Sequence, residues 1–187
     1  MAAKAGLPGR LFLNISPACL TSPSFRSGAT LEILREVGLS PQRVVIELTE
    51  IHPADNFDQL CNALQHYREM GFRIAIDDLG EGFSGLRLWS ELQPDFVKID
   101  KYFIQGISGD AQKRQFVRSI HHIALNTGAR VIAEGVETQA ELECVRRIGI
   151  DLAQGYHLAR PQANPPRKLL IEPAVPVRGG LIAQQSA

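Results

Sequence analysis

Polar and acidic side chains stand at the ends of successive apolar runs along this chain. Asp77 and Asp78 follow the run Ile74 to Ile76, and Asp100 follows the run Phe96 to Ile99. Six apolar runs end in this way, at Asn14, Glu47, Asp77, Lys98, Glu134 and Gln154. Carboxylates gathered in one partly dry site would repel each other by an amount on the order of several kcal/mol, so a cation has to balance them.

Hard divalent cations suit such a set of oxygen donors. Mg²⁺ and Mn²⁺ take carboxylate, amide and water oxygens as ligands, and the adjacent Asp77 and Asp78 could bridge two ions. Two neighbouring ions lower the pKa of a water and stabilise the charge of a phosphodiester in hydrolysis, and Lys98 would add to that stabilisation. Each acid taken alone is more simply a helix cap or a solvated loop residue. The whole set predicts metal-dependent phosphodiester chemistry.

Alternating strands and helices would position these residues. The predicted strands are Leu11 to Ile15, Val44 to Ile46, Ile74 to Ile76, Phe96 to Ile99, Arg130 to Ala133 and Asp151 to Ala153. Apolar residues at helical spacing lie between them, as in Ala111 to Asn126, with a predicted inward face at Phe116, Val117, Ile120 and Ile123. Repeated βα units indicate a (β/α) barrel or a doubly wound sheet. The barrel is favoured because polar residues end nearly every strand, whereas an open sheet collects ligands at one switch point.

A competing dinucleotide fingerprint, G-x-G-x-x-G, lies at residues 80–85 between a strand and a helix. Asp100 follows about twenty residues later, as that fingerprint requires. Glu81 lies inside the phosphate cradle, however, and Asp77 and Asp78 directly precede it. A pyrophosphate would meet three carboxylates where it needs amide N–H groups, so we discount dinucleotide binding.

The overall composition restricts the class of partner. The 187 residues carry 20 basic and 20 acidic side chains, which does not favour binding to a nucleic acid polymer. No apolar run approaches the roughly 18 residues of a membrane helix. Three scattered cysteines without a CxxC pair indicate a reduced, cytoplasmic protein. We predict a tail at 1–10, a barrel domain at 11–162, and a Pro- and Gly-containing linker or tail at 163–187.

Six segments resemble the EAL domain family, bacterial phosphodiesterases that linearise cyclic di-GMP. They are LNIS, IELTE, IDDLGEGFSGL, PDFVKID, IAEGVET and QGY, in this order between Leu11 and Pro161. The resemblance implies a TIM-like barrel, Mg²⁺ or Mn²⁺ in a two-metal site, and linear pGpG as the product. By position, Asn14, Glu47 and Asp77 match the ligands of the first metal. Asp78 and Glu134 match the side of the second metal and the attacking water.

The resemblance also implies roles for residues around the metals. Lys98 matches a lysine that contacts the water or the metal, and Asp100 matches the residue that supports this lysine. Glu137 and Gln154 match acid and amide positions that line the site. Glu50 matches the residue that anchors the family's regulatory loop, which links metal binding to a dimer contact in some members.

The chain departs from the family pattern at two points. In the loop Leu79 to Ser84, Glu81 replaces a small hydroxyl residue, which we expect to change the coupling of this loop. The tripeptide Glu-Ala-Leu is absent, so the chain starts at what would be the second strand. We therefore expect a barrel incomplete at the N-terminus, without the first strand and its metal-ligand glutamate. Unpaired sheet edges favour a homodimer or completion by other residues.

The leading hypothesis is a metal-dependent phosphodiesterase that converts cyclic di-GMP to pGpG, within a bacterial signalling protein that carries sensory or GGDEF-type domains. The alternative is a catalytically impaired module that binds cyclic di-GMP or a protein partner, because the first strand and its glutamate are absent. A third hypothesis is an unrelated metal-dependent barrel that acts on another phosphate ester.

Overall fold

The computed structural model describes residues 9–20, 27–48, 57–80 and 84–161. Their six strands are β1 (Leu11–Ile15), β2 (Val44–Leu48), β3 (Arg73–Leu79), β4 (Phe96–Ile99), β5 (Arg130–Ala133) and β6 (Leu152–Ala153). The helices are α1 (Pro17–Leu20), α2 (Ser27–Val37), α3 (Phe57–Glu69), α4 (Ser84–Leu92), α5 (Lys101–Ile104), α6 (Ala111–Thr127) and α7 (Gln139–Ile148), and a 3₁₀ turn spans Pro41–Arg43. The predicted C-terminal tail, Glu50 and Glu81 lie outside the described residues.

The strands form one parallel sheet in chain order. Each strand pairs in parallel with the next, from β1 and β2 through to β5 and β6. Among the described residues no pairing joins β6 back to β1, so the sheet is open. This arrangement confirms the predicted α/β fold of an incomplete TIM-like barrel.

Two apolar layers cover the two faces of the sheet. The larger cluster includes Ile46 and Ile74 of the strands together with Leu64 of α3, all fully buried. The smaller cluster lies on the opposite face and consists of Val45, Ala75, Phe96 and Ile132, with Phe12 and Leu152 packed against it. Since neighbouring side chains on a strand alternate between faces, strands buried on both faces read as continuous apolar runs.

Helix ends follow the local chemistry of the chain. The side chain of Asp110 caps α6 by accepting hydrogen bonds from two backbone N–H groups, and Gly128 ends that helix with a φ of 76°. At α7, Thr138 and Glu141 form a capping box, as the spacing Thr-x-x-Glu before an apolar helix predicts. The predicted range of α6, Ala111 to Asn126, is therefore confirmed to within one residue.

Two details of the helices differ from the prediction. Ala124 is buried on α6, whereas Phe116 and Ile123 are 37% and 39% exposed, so their placement on the inward face was wrong. Phe116 instead stacks on Phe103, with ring centroids 4.1 Å apart. Helix α5 was also missed, because a single turn has too few residues to show a helical period.

Two further findings concern the length of the helices and the state of the cysteines. No helix in the described ranges has both the length and the apolar character needed to cross a bilayer. The three cysteines are free; Cys144 is buried, Cys61 is half-buried and Cys19 is exposed.

Candidate active site at the carboxyl ends of the strands

A ring of polar residues lies one layer above the smaller apolar cluster. Each member stands two positions after a residue of that cluster, and side chains two apart on a strand share a face. The ring, which we call the polar ring, consists of Asn14, Glu47, Asp77, Lys98, Glu134 and Gln154. Asn14 is the register partner of Glu47, and Lys98 is that of Ile132. The sheet thus carries the predicted residues at one end.

Lys98 is the centre of this ring. Its side chain is only 7% exposed, and its Nζ lies 2.8 Å from Asp77 Oδ1 and 2.6 Å from Glu134 Oε1. The same nitrogen donates a hydrogen bond to Glu47 Oε1. One ammonium group therefore holds carboxylates from β2, β3 and the segment after β5, which are far apart in the sequence.

The electrostatics of the ring follow from burial and from these contacts. Burial and, to a smaller extent, a hydrogen bond with Asp77 together raise the pKa of Glu47 to about 7, although Lys98 opposes that change. Burial also raises the pKa of Glu134 to about 7, although the hydrogen bond from Lys98 opposes that change. For Asp77, burial raises the pKa, but hydrogen bonds with Glu47 and Lys98 outweigh burial and bring it below its ordinary value.

The pKa of Lys98 is also set by burial and by hydrogen bonds, which act in opposite directions. Burial alone lowers the pKa of its ammonium group, but hydrogen bonds to Asp77, Glu134 and Glu47 raise that pKa above its ordinary value. The ammonium group therefore stays charged and balances one of the surrounding negative charges. Among the described residues at this end of the sheet, the carboxylates outnumber the cations, which is the condition for cation binding predicted from the sequence.

Asp77, Asp78 and Glu134 form a group that could hold a metal ion. Each offers a carboxylate oxygen, and these three atoms lie within 4.8 Å of one another. Carboxylate oxygens are the donors that hard divalent cations prefer, so the residues present fit Mg²⁺ or Mn²⁺. The group contains three of the five predicted metal ligands, while the assignment of Asn14 and Glu47 as ligands stays a prediction.

A local irregularity brings the two adjacent aspartates into one group. On a regular strand, Asp77 and Asp78 would point to opposite faces. Between Ile76 and Leu79 the pairing of β3 with β4 shifts register, and Asp78 has a left-handed φ of 48°. Such a bulge re-aims side chains and is frequent beside active sites. The paired aspartates therefore depend on a distorted strand end, for which the apolar pattern carries no signal.

The residues predicted to support the site differ from one another in burial and in hydrogen-bond partners. Gln154 donates a hydrogen bond from Nε2 to Glu134 Oε1, which orients that carboxylate. Glu137 is exposed and accepts a hydrogen bond from Gln105. Asp100 is buried and accepts from the backbone N–H of Tyr102, so it caps α5. Its support of Lys98 stays a prediction.

Glu141 is a structural residue whose full role the sequence did not reveal. Its carboxylate accepts hydrogen bonds from the backbone N–H groups of Glu137, Thr138 and Gly106, at 2.9, 3.0 and 2.8 Å. The first two belong to the segment that follows Glu134, and the third ties this segment to the turn after α5. The capping-box spacing predicted the bond within the helix start, but no local pattern indicates the bond to Gly106.

Gly155 allows a close approach beside the site. A Cβ at this position would lie 2.2 Å from Val136 O and 2.3 Å from Val136 N, and its φ is 155°. Val136 N in turn donates a hydrogen bond to Gln154 O. The backbones after β5 and after β6 can therefore touch only because residue 155 lacks a side chain.

Comparisons with known proteins agree with this architecture. A family model described as the EAL domain matches residues 1–161. The chain is 33% identical over 153 residues to the "Probable cyclic di-GMP phosphodiesterase PdeA" of Escherichia coli (strain K12). That match covers 82% of this chain and 21% of the relative, so the chain spans about a fifth of the relative's length.

Two solved structures of Klebsiella pneumoniae BlrP1 are also similar. The complex with calcium and cyclic di-GMP has a TM-score of 0.79 at 35% identity, and the match covers 86% of this chain and 41% of that chain. The manganese and cyclic di-GMP complex has the same TM-score and identity, with coverages of 85% and 40%. Both neighbours therefore combine this fold with a divalent metal and cyclic di-GMP.

Proposed function

The chain belongs to the EAL domain family, and from this premise we propose that it hydrolyses cyclic di-GMP to linear pGpG with Mg²⁺ or Mn²⁺. The observation that carries the proposal is that Lys98 contacts Asp77 and Glu134, which are two of the three carboxylates that can hold a metal ion. A cyclic dinucleotide offers two phosphodiester groups, and the site combines a fixed cation with excess carboxylates. These are the components of metal-assisted phosphodiester hydrolysis.

The metal would be held by Asp77, Asp78 and Glu134, with Asn14 and Glu47 as further ligands on the same end of the sheet. A bound divalent ion lowers the pKa of a water and balances the charge that develops on the phosphoryl oxygens. Lys98 orients Asp77 and Glu134 and keeps a positive charge where the phosphate would approach.

The supporting residues limit movement of the catalytic groups. Gln154 holds the Glu134 carboxylate in one orientation, which preserves its geometry toward a water or a metal. Glu134, Lys98 and Asp78 are the groups that we assign to the reaction itself. Glu50, Asp100, Glu137 and Gln154 are assigned to substrate binding or support.

The surrounding protein is part of the proposal. Since the chain spans about a fifth of its relative PdeA, we assign it to a larger signalling protein with sensory or GGDEF-type domains. We propose a homodimer and a cytoplasmic location, where a nucleotide second messenger is available. The homodimer rests on the unpaired edges of the sheet, and the cytoplasmic location rests on the proposed substrate.

Hydrolysis of cyclic di-GMP tests the function directly. The purified chain is incubated with Mn²⁺ or Mg²⁺, and pGpG is followed by chromatography, with EDTA and Glu134→Ala as negative controls. We expect Glu134→Ala to lower turnover about 10²-fold or more, because it removes a metal-binding and proton-accepting group. Glu143→Ala, an exposed glutamate on α7, is the matched control and should retain activity.

Two outcomes would oppose the proposal. If Glu134→Ala turned over cyclic di-GMP at the wild-type rate, Glu134 would have no role in the reaction. Binding of cyclic di-GMP by calorimetry without any pGpG would favour the alternative of a binding module over an enzyme.

A further inference from the structure

A cavity between α6 and α7 is lined by several arginines. Its volume is about 320 Å³, and its walls are Ser108, Arg114, Arg118, Cys144, Arg147 and Ile148. None of these residues belongs to the polar ring, and the two helices pack on the opposite side of the sheet from the smaller apolar cluster. The cavity is therefore a separate feature from the proposed catalytic site.

Positive charge in this cavity is not balanced by the lining residues. Arg114, Arg118 and Arg147 contribute three guanidinium groups, and no acidic side chain is part of the wall. Of the described residues, no carboxylate forms an ion pair with any of the three. The chain as a whole has a formal net charge of zero, so the cluster is local and does not reflect a basic composition.

The hydrogen bonds of the three arginines leave donors available. Arg114 donates from Nη1 to the backbone oxygens of Ile107 and Ser108, and Arg147 donates from Nε to the backbone oxygen of Glu143. For Arg118, no hydrogen bond or ion pair occurs within the described part of the chain. A guanidinium has five N–H donors, so most donors around the cavity remain open to a ligand.

Helix dipoles explain only part of this arrangement. Arg147 lies in the last turn of α7, where a cation stabilises the helix. Arg114 is the fourth residue of α6, near the positive end of the helix dipole, where a cation is unfavourable. Asp110, the N-cap of α6, offsets part of this cost, but its Oδ1 accepts from the backbone of Gln112 and Lys113. An anion in the cavity would stabilise all three arginines.

We infer that this cavity binds the diphosphate group of a small phosphorylated ligand. Guanidinium groups pair with phosphate oxygens through two parallel hydrogen bonds, and three of them around one space match a group with several negative charges. The volume lies at the lower end of the roughly 300–1,000 Å³ of small-molecule pockets, which suits a diphosphate better than a large ligand. The inference does not depend on the proposed hydrolysis of cyclic di-GMP.

Calorimetric titration with sodium pyrophosphate tests the site. The full chain is used at constant ionic strength with EDTA, so that no divalent metal can bring the probe to the carboxylate group. We expect saturable binding that Arg118→Gln and Arg147→Gln each weaken about tenfold, because each removes charged hydrogen bonds to the ligand. Arg146→Gln is the matched control, since Arg146 is also exposed at the end of α7 but does not line the cavity.

Further measurements make the result decisive. Urea unfolding should be the same for Arg118→Gln and the wild type, because Arg118 forms no ion pair or hydrogen bond within the described residues. A nucleoside diphosphate, titrated in the same way, distinguishes a nucleotide ligand from free pyrophosphate, and either one should show the Arg118 dependence. Absence of saturable binding by both probes, or equal weakening by Arg146→Gln, would overturn the inference.

Discussion

Lys98 Nζ lies 2.6 Å from Glu134 Oε1, and this ion pair joins the end of β4 to the segment after β5. The same ammonium group contacts Glu47 and Asp77, so one positive charge faces three carboxylates. With Asp78 beside them, the carboxylates described at this end of the sheet outnumber the single positive charge of Lys98. That imbalance is the physical basis of the proposed metal site.

Replacing Lys98 by Met should destabilise the fold as well as the site. The variant removes the cation and leaves buried carboxylates unpaired, which costs on the order of 3 kcal/mol. Urea unfolding measures this loss, and added Mn²⁺ should restore part of it by supplying another cation. Lys101→Met, an exposed lysine three residues further on, should unfold like the wild type. Equal stability of Lys98→Met and the wild type would contradict the central position of Lys98.

Replacing Asp78 by Asn should weaken metal binding. The substitution keeps the size of the side chain and its tolerance of a left-handed backbone, but it removes one negative charge from the carboxylate group. We expect Mn²⁺ affinity to fall about tenfold or more, by analogy with the effect of changes around metal ligands. Calorimetry without substrate measures this affinity. Asp151→Asn, at an exposed position before β6, is the control, and an equal loss there would argue against a site at Asp78.

Replacing Glu141 by Gln should change the pH dependence of stability. Burial raises the pKa of Glu141, but hydrogen bonds from the backbone of Gly106, Glu137 and Thr138 outweigh burial and lower it. Because its pKa is lowered in the folded state, Glu141 contributes fully to folding stability at pH values above its ordinary pKa of 4.5. This contribution is lost as the pH falls through the lowered pKa of the folded state. At pH 7 the variant should be less stable by about 1 kcal/mol, the usual value of a helix cap.

The sign of this effect is testable by unfolding at two pH values. The difference in unfolding free energy between wild type and Glu141→Gln should be largest near neutral pH and should shrink in acid. Glu143→Gln, on the exposed face of the same helix, should show little pH-dependent difference. A difference for Glu141→Gln that grows on acidification would contradict the assigned direction.

Replacing Gly155 by Ala should disrupt the contact between the segments after β5 and β6. The new Cβ would lie 2.2 Å from Val136 O, and backbone atoms cannot move aside as a flexible side chain can. We expect a loss of about 3 kcal/mol in urea unfolding, from strain and overpacking together. Gly109→Ala is the control, because its nearest neighbour is a backbone oxygen 3.8 Å away. A mild effect at Gly155 would mean that the loop relaxes easily.

Local patterns in the sequence were sufficient to predict the strands, the main helices and the residues of the polar ring. The six strand ends place Asn14, Glu47, Asp77, Lys98, Glu134 and Gln154 on one face because side chains alternate with a period of two. The motifs also identified the EAL domain family, which the family model confirms. These features depend on neighbours a few residues apart, so they are visible in the sequence itself.

The apolar spacing of α6 did not predict correctly which residues of this helix are buried. Apolar spacing placed Phe116 and Ile123 inward, but Phe116 stacks on Phe103 at the surface, and Ala124 packs into the core instead. Hydrophobicity alone does not distinguish a core position from an exposed contact between aromatic rings.

By itself, then, the sequence determined the βα order, the family and the polar residue at each strand end, because alternation and helical spacing are local properties. Only the tertiary structure decided which groups meet: the carboxylates on Lys98, the two aspartates at the bulge of β3, the bond from Glu141 to Gly106, and the arginine-lined cavity. These contacts join residues far apart in the chain. They depend on strand register and on single backbone angles such as that of Asp78, for which periodic patterns carry no signal.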